Sequence, residues 1–172
     1  GGGRARRDVF FHVGERKGLM NETPVIELLL VEDNPQDLEL ALRALRGANL
    51  GNRIQVARDG AEALEYIFCE GPHAGRAIAD APKVILLDLK LPKIDGLEVL
   101  KRLKDDPRTR AIPVVVLTSS KEQRDLIESY HLGVNSYIVK PVNFERFATA
   151  VRELGLYWLL LNQPSPGAKE HA

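Results

Sequence analysis

Val84-Ile85-Leu86-Leu87-Asp88, running on into Leu89-Lys90-Leu91-Pro92, is a succession of four apolar residues closed by one carboxylate. An unbroken apolar run with β-branched members is what a strand buried on both faces needs, as in a parallel sheet. Similar runs recur on either side. Residues 25–31, 53–57, Val84–Asp88, Val114–Thr118 and Ser136–Val139 read as five strands. Helical patterns alternate with them. The first opens with Asn34 as a cap and Pro35 at the first helical position, then sets Leu38, Ala41, Leu42 and Leu45 on one face. The second follows Asp59-Gly60 and carries Leu64 and Ile67 or Phe68 inward; the third follows Asp95-Gly96 with Val99, Leu100 and Leu103 inward. A fourth is expected over 121–131, before Gly133, and a fifth over 144–161. The pattern predicts an α/β fold, a (βα)5 doubly wound five-stranded parallel sheet with helices on both faces.

The 172 residues suit one domain, and the 44% hydrophobic and 28% charged contents are ordinary for a globular chain. Lys plus Arg equals Asp plus Glu at 24 each, which argues against nucleic acid or membrane as a partner. The balance is uneven: residues 1–20 carry Arg4, Arg6, Arg7, Arg16 and Lys17 against Asp8 and Glu15. Residues 1–23, with three leading glycines, read as a leader outside the fold, the alternative being a basic binding arm. Residues 24–162 form the expected domain, and the Pro-, Ser- and Gly-containing residues 163–172 a disordered tail. One cysteine, Cys69, rules out an internal disulfide and fits a reducing compartment, so the expected location is cytoplasmic. Cys69 itself reads as a small buried residue of the second helix. The four histidines are scattered without metal-ligand spacing. Residues 70–83 make a long connection before the third strand, with Gly71-Pro72 and Gly75, so part of it should be an exposed loop.

In a doubly wound sheet, ligands gather at the carboxyl ends of the strands. Those ends are polar here in four places: Glu32-Asp33, Asp88, Thr118-Ser119 and Lys140-Pro141. Three carboxylates beside one lysine form a hard, oxygen-rich set that suits Mg2+, and a cation would offset the mutual repulsion of the acids. With Mg2+ held by Glu32 and Asp33, Asp88 can act as a nucleophile toward a phosphoryl group and form an acyl phosphate. The Thr118 hydroxyl and Lys140 ammonium can then reach the phosphoryl oxygens, where charge must be neutralised. Alone, Glu32-Asp33 would read as a turn, Asp88 as a cap, Thr118 as a strand end and Lys140 as a solvated loop residue. Together at successive strand ends they read as a site.

The run Leu29-Leu30-Val31-Glu32-Asp33-Asn34, then Leu86-Leu87-Asp88-Leu89-Lys90-Leu91-Pro92, Asp95-Gly96, Val116-Leu117-Thr118-Ser119 and Lys140-Pro141, resembles the receiver domain of two-component response regulators. The likeness spans residues 25–161, with the motifs in the family's order. It implies a flavodoxin-like fold, and phosphoryl transfer from a sensor histidine kinase onto Asp88. It also implies Mg2+ on the carboxylates of Asp33 and Asp88, with Glu32 acting through water and Lys90 offering its main-chain carbonyl. Thr118 and Tyr137 would be a switch pair whose movement reshapes the face of the fourth helix, fifth strand and fifth helix. The Lys140-Pro141 peptide would be cis, Pro141 being of the residue type that tolerates it. The alternative for Tyr137 is a partly buried aromatic that never moves.

About ten residues follow the last helix, so a single-domain regulator is expected, signalling by binding an output protein of unknown identity. The 70–83 loop and the ending Gly155-Leu156-Tyr157-Trp158-Leu159-Leu160-Leu161-Asn162-Gln163-Pro164 resemble small regulators paired with phytochrome-type histidine kinases. Tyr157, Trp158 and Leu161 are either packing within the domain or a homodimer face; the latter is the expectation, because a terminal helix has little left to cover. A true enzyme fits less well. A haloacid-dehalogenase phosphatase wants a second Asp two positions after the nucleophile, where this chain has Lys90. A dinucleotide-binding protein wants a Gly-rich loop where Glu32-Asp33-Asn34-Pro35 stands. A phosphorylation-independent scaffold is the remaining rival, though all of its usually lost residues are present. Lys90 and Ser120, near the site by spacing, should influence the phosphoryl group's lifetime.

Overall fold

The computed structural model describes residues 28–47, 54–119 and 123–140, with 145, 146, 149, 150 and 153 beyond them. Five strands, β1 (Leu28–Val31), β2 (Ile54–Ala57), β3 (Val84–Asp88), β4 (Val114–Thr118) and β5 (Ser136–Val139), form one sheet in the order β2-β1-β3-β4-β5. Every pairing is parallel. The helices between them are α1 (Pro35–Gly47), α2 (Gly60–Phe68), α3 (Gly96–Asp105) and α4 (Gln123–His131). Strands three to five have the bounds the sequence predicts. In β1 and β2 the predicted residues 25–27 and 53 lie outside the described residues, as does most of the expected fifth helix, of which 145, 146, 149, 150 and 153 are helical.

Because successive side chains of a strand point to opposite faces, each apolar run divides between two cores. Leu29, Val31, Ile85, Leu87, Val114 and Val116 meet the inward residues of α2 and α3 on one face. Leu28, Leu30, Val84, Leu86, Val115 and Leu117 meet Leu38, Ala41, Ala44 and Leu45 of α1 on the other. A fully buried Leu or Val contributes about 1.5–3 kcal/mol relative to its exposed state, so the strands hold both helix layers. The inner face of α1 is rotated slightly from expectation: Ala44 is buried, while Leu42 is only partly so.

The helix ends that surround the carboxyl edge of the sheet are capped by side chains. Asn34 Oδ1 accepts from the N–H groups of Gln36 and Asp37 at 2.9 and 3.2 Å. Asp59 accepts from Glu62 N–H at 2.8 Å, and Asp95 from Leu97 N–H at 2.9 Å. Cys69 is not a buried helical residue as expected but the half-buried C-cap of α2, in the left-handed region at φ 59°. There it lets Glu70 N–H reach back to Glu65 O at 2.8 Å, closing the helix.

The long connection before β3 combines exposed loop with short helical turns. It contains two 3-10 turns, Gly71–His73 and Ile78–Asp80. Arg76 lies 3.7 Å over the ring of buried Tyr66 and donates to the carbonyls of Tyr66 (2.6 Å) and Asp80 (2.8 Å). His73 meets the same ring edge-on at 5.0 Å. No helix among the described residues is long and apolar enough to cross a membrane.

Candidate functional site

The order β2-β1-β3 places the chain reversal of a doubly wound sheet between β1 and β3. Val31 pairs with Leu87, so the next residue on each strand, Glu32 and Asp88, stand side by side at the carboxyl edge. One register step further, Asp88 pairs with Leu117, which brings Thr118 to the same edge, and Thr118 pairs with Val139. Lys140 follows, its N–H donating to Thr118 O at 2.7 Å. The sheet therefore assembles the polar strand ends that the sequence singles out, and it does so by register alone.

Glu32, Asp88 and Thr118 are buried at 1%, 4% and 2% exposure, while Asp33 is open to solvent. Oxygens of Glu32, Asp33 and Asp88 all lie within 4.8 Å of one another. The Lys140 ammonium sits among the acids, 2.6 Å from Asp88 Oδ2 and 2.7 Å from Glu32 Oε2. It also reaches Asp37 Oδ2, on the first turn of α1, at 3.1 Å. The other oxygen of Asp88 accepts the Lys90 N–H at 3.1 Å, and Glu32 Oε1 accepts the Asn34 N–H at 3.1 Å. Glu32 Oε2 has no hydrogen bond in good alignment, so its closeness to Lys140 is an ion pair rather than a directed bond.

Burial pushes the Glu32 carboxyl up to about 7, and the neighbouring charge of Asp88 pushes the same way, against the opposing pull of Lys140. Burial works against the charge of Lys140 too, yet its contacts with Asp88 and Glu32 hold it above the ordinary lysine range. One ammonium thus compensates a cluster with more negative charge than it can neutralise. A buried acid oxygen without a directed partner, in a set of hard oxygen donors, is the environment a small divalent cation fits. Glu32, Asp33 and Asp88 are the side chains that would hold it.

Thr118 Oγ1 donates to the carbonyl of Ser119 at 3.1 Å. Tyr137 is turned outward, 39% exposed, and meets Tyr130 of α4 edge-on with ring centroids 6.0 Å apart. With Ile127 and Val139 these are the large apolar side chains most exposed among the described residues, all on α4 and β5. The candidate cis residue Pro141, the candidate dimer residues Tyr157, Trp158 and Leu161, and Ser120 lie outside the described residues.

Sequence reasoning missed Asp37. Its signal is the Asn34 cap, which makes Asp37 the third residue of α1 and so brings its side chain to the carboxyl edge of the sheet. It also missed the pair between Asp59 and Lys93, whose Nζ and Oδ2 are 2.6 Å apart and tie the loop after β3 to the start of α2. Lys93 is in the left-handed region at φ 64°, uncommon for a non-glycine residue.

Residues 28–152 match the response regulator receiver domain. The chain is 47% identical over 147 residues to the probable methanogenesis regulatory protein FilR2 of Methanothrix harundinacea, covering 85% of this chain and 90% of that one. The phosphorylated cyanobacterial phytochrome response regulator RcpA superposes with a TM-score of 0.73 at 41% identity, covering 81% of this chain and 98% of RcpA. The Mn2+-bound form of response regulator Rcp1, a Synechocystis protein, superposes with a TM-score of 0.72 at 36% identity, covering 80% and 97%.

Proposed function

The chain belongs to the response regulator receiver family, and from that premise we propose that it is a phosphorylation switch whose acceptor is Asp88. That family consists of signalling proteins rather than enzymes in the usual sense. The observation that carries the reading is Asp88 itself: a buried carboxylate ending a central strand, 2.6 Å from a lysine ammonium and within metal-ligand reach of two further acids.

The chemistry follows from the neighbours. A carboxylate oxygen of Asp88 forms a bond to phosphorus as the bond from a kinase phosphohistidine nitrogen breaks, the electron pair leaving with the imidazole. The product is an acyl phosphate, and its new oxygens need donors. Lys140 is already at Asp88, and Thr118 stands at the adjacent strand end, where its hydroxyl donates to the Ser119 carbonyl. Mg2+ bound by Glu32, Asp33, Asp88 and the Lys90 carbonyl would supply the charge neutralisation that lets an anionic nucleophile meet an anionic phosphoryl group. The Mn2+ form of Rcp1 supports a divalent cation here.

Movement of Thr118 would draw on Lys140 through their shared backbone hydrogen bond, and on β5, where Tyr137 would turn inward. The output partner would then meet a changed face of α4, β5 and the last helix. The resemblance to RcpA supports a phytochrome-type histidine kinase as the donor, and Tyr157, Trp158 and Leu161 as a homodimer face remain part of the proposal.

The test is intact-protein mass after incubation with acetyl phosphate and Mg2+. One phosphoryl adduct is expected, absent from Asp88→Asn and absent when the metal is chelated. A folded parent that gains no adduct would leave the scaffold reading in its place.

A further inference from the structure

Lys140 has three N–H donors and three carboxylate oxygens around it: Asp88 Oδ2 at 2.6 Å, Glu32 Oε2 at 2.7 Å and Asp37 Oδ2 at 3.1 Å. Two donors make directed bonds, to Asp88 and Asp37, and Glu32 faces the ammonium as an ion pair, so acids of the chain surround it. A phosphoryl group arriving on Asp88 competes with these acids for the ammonium, so one contact must give way. The three are unequal in what release would cost them.

Glu32, with its side chain 1% exposed, would be left as a buried anion without its cation. Asp88, 5% exposed at the side chain, is where the phosphoryl group attaches. Asp37 is different on each count. Its contact is the longest of the three, and its side chain is 38% exposed, so water can take over the lost hydrogen bond. It also stands in the first turn of α1, where the helix N-terminus favours an anion whether or not a lysine is beside it. The Asn34 cap fixes the backbone of that turn by accepting the Asp37 N–H at 3.2 Å, which keeps the carboxylate at the edge of the site.

We propose that Asp37 is a positioning residue for Lys140: it occupies one ammonium donor in the resting protein and gives it up to the incoming phosphoryl group. This rests on Asp88 being the phosphoacceptor. In that role Asp37 is a competitor. It lowers the affinity of the site for a phosphoryl group, and so sets how much donor is needed to load it. Substitution by Asn removes the charge while keeping size and turn geometry, and leaves Lys140 committed to the two buried acids and the ligand.

The experiment is calorimetric titration of the full chain with fluoroberyllate, a phosphoryl mimic that binds carboxylate, at fixed Mg2+. Asp37→Asn should bind about two- to fivefold more tightly than the parent, the span expected of a half-exposed ion pair, with an unchanged melting temperature. Glu39→Gln, two residues along the same helix and paired with Arg43 rather than Lys140, should bind as the parent does. Asp37→Glu should return the affinity to the parent's value. Unchanged binding by Asp37→Asn in a parent that does bind would overturn the competitor role and leave Asp88 as acceptor. Equal tightening by Glu39→Gln would also overturn it, by reducing the effect to net charge. A parent that fails to bind at all would remove the acceptor reading and this proposal together.

Discussion

Gly96 lies against the carbonyl oxygen of Asp88 so closely that a Cβ at position 96 would overlap it and stand 2.6 Å from Leu89 Cα. The opposing atoms are backbone and cannot swing aside. Gly96→Ala should therefore move the peptide of Asp88. A loss of about 1–3 kcal/mol is expected for such overpacking, read as a drop of several degrees in thermal unfolding. Weaker Mn2+ binding by electron paramagnetic resonance should accompany it. A variant as stable as the parent would show that the turn adjusts freely.

Asp59 both caps α2 and pairs with Lys93, and that Lys93 hydrogen bond holds its carboxyl below the usual carboxylate range. A depressed folded value means the stabilisation is complete above the unfolded carboxylate pKa of about 4 and fades as pH falls through the depressed value. Asp59→Ala should cost about 1–2 kcal/mol near neutrality, chiefly through the cap. The gap from the parent should shrink below about pH 4. Urea unfolding at two pH values checks this. Lys93→Ala should have a much smaller effect, because that lysine is 67% exposed.

Lys140→Met leaves the buried carboxylates of Glu32 and Asp88 without their cation. Breaking a buried pair from one side is destabilising by on the order of 3 kcal/mol. A divalent cation can then do part of the lysine's work. Melting curves with chelator and with Mg2+ should show a larger metal-dependent gain in the variant than in the parent. An equal gain would mean that the metal and the lysine do not share the same acids.

Tyr137 is held outward beside Tyr130. If Thr118 and β5 move as a unit, fluoroberyllate with Mg2+ should withdraw the Tyr137 ring from solvent. Chemical nitration followed by peptide mass mapping reads this directly: Tyr137 labelling should fall on ligand binding. Unaltered labelling in a loaded protein would make Tyr137 a fixed surface aromatic.

The readable part of this molecule is the part in which one residue type does one thing. β3, β4 and β5 are legible because each is an apolar run ended by a polar residue, and parallel register carries those ends to a common edge. Ala44 was missed because alanine carries little periodic weight; only packing of α1 on Leu30 and Leu86 shows that it is inside. Cys69 reads as helix interior because nothing local says that a non-glycine will adopt a left-handed cap. Asp37 reads as an ordinary acid of a first helical turn. Its second partner, Lys140, is 103 residues away, a distance that no local pattern spans. The Asp59–Lys93 pair escaped for the same reason, being 34 residues apart.

β3 is laddered on both sides, to β1 and to β4, whereas among the described residues β5 is the outermost strand and is laddered to β4 alone. The proposed acceptor, Asp88, thus stands on one of the stiff members of the sheet, while the lysine that would feel the phosphoryl group follows a strand laddered on one side. A tug at the anchored centre would be converted into displacement at the compliant margin. The mechanical gradient runs outward, toward the side on which Tyr137 faces water.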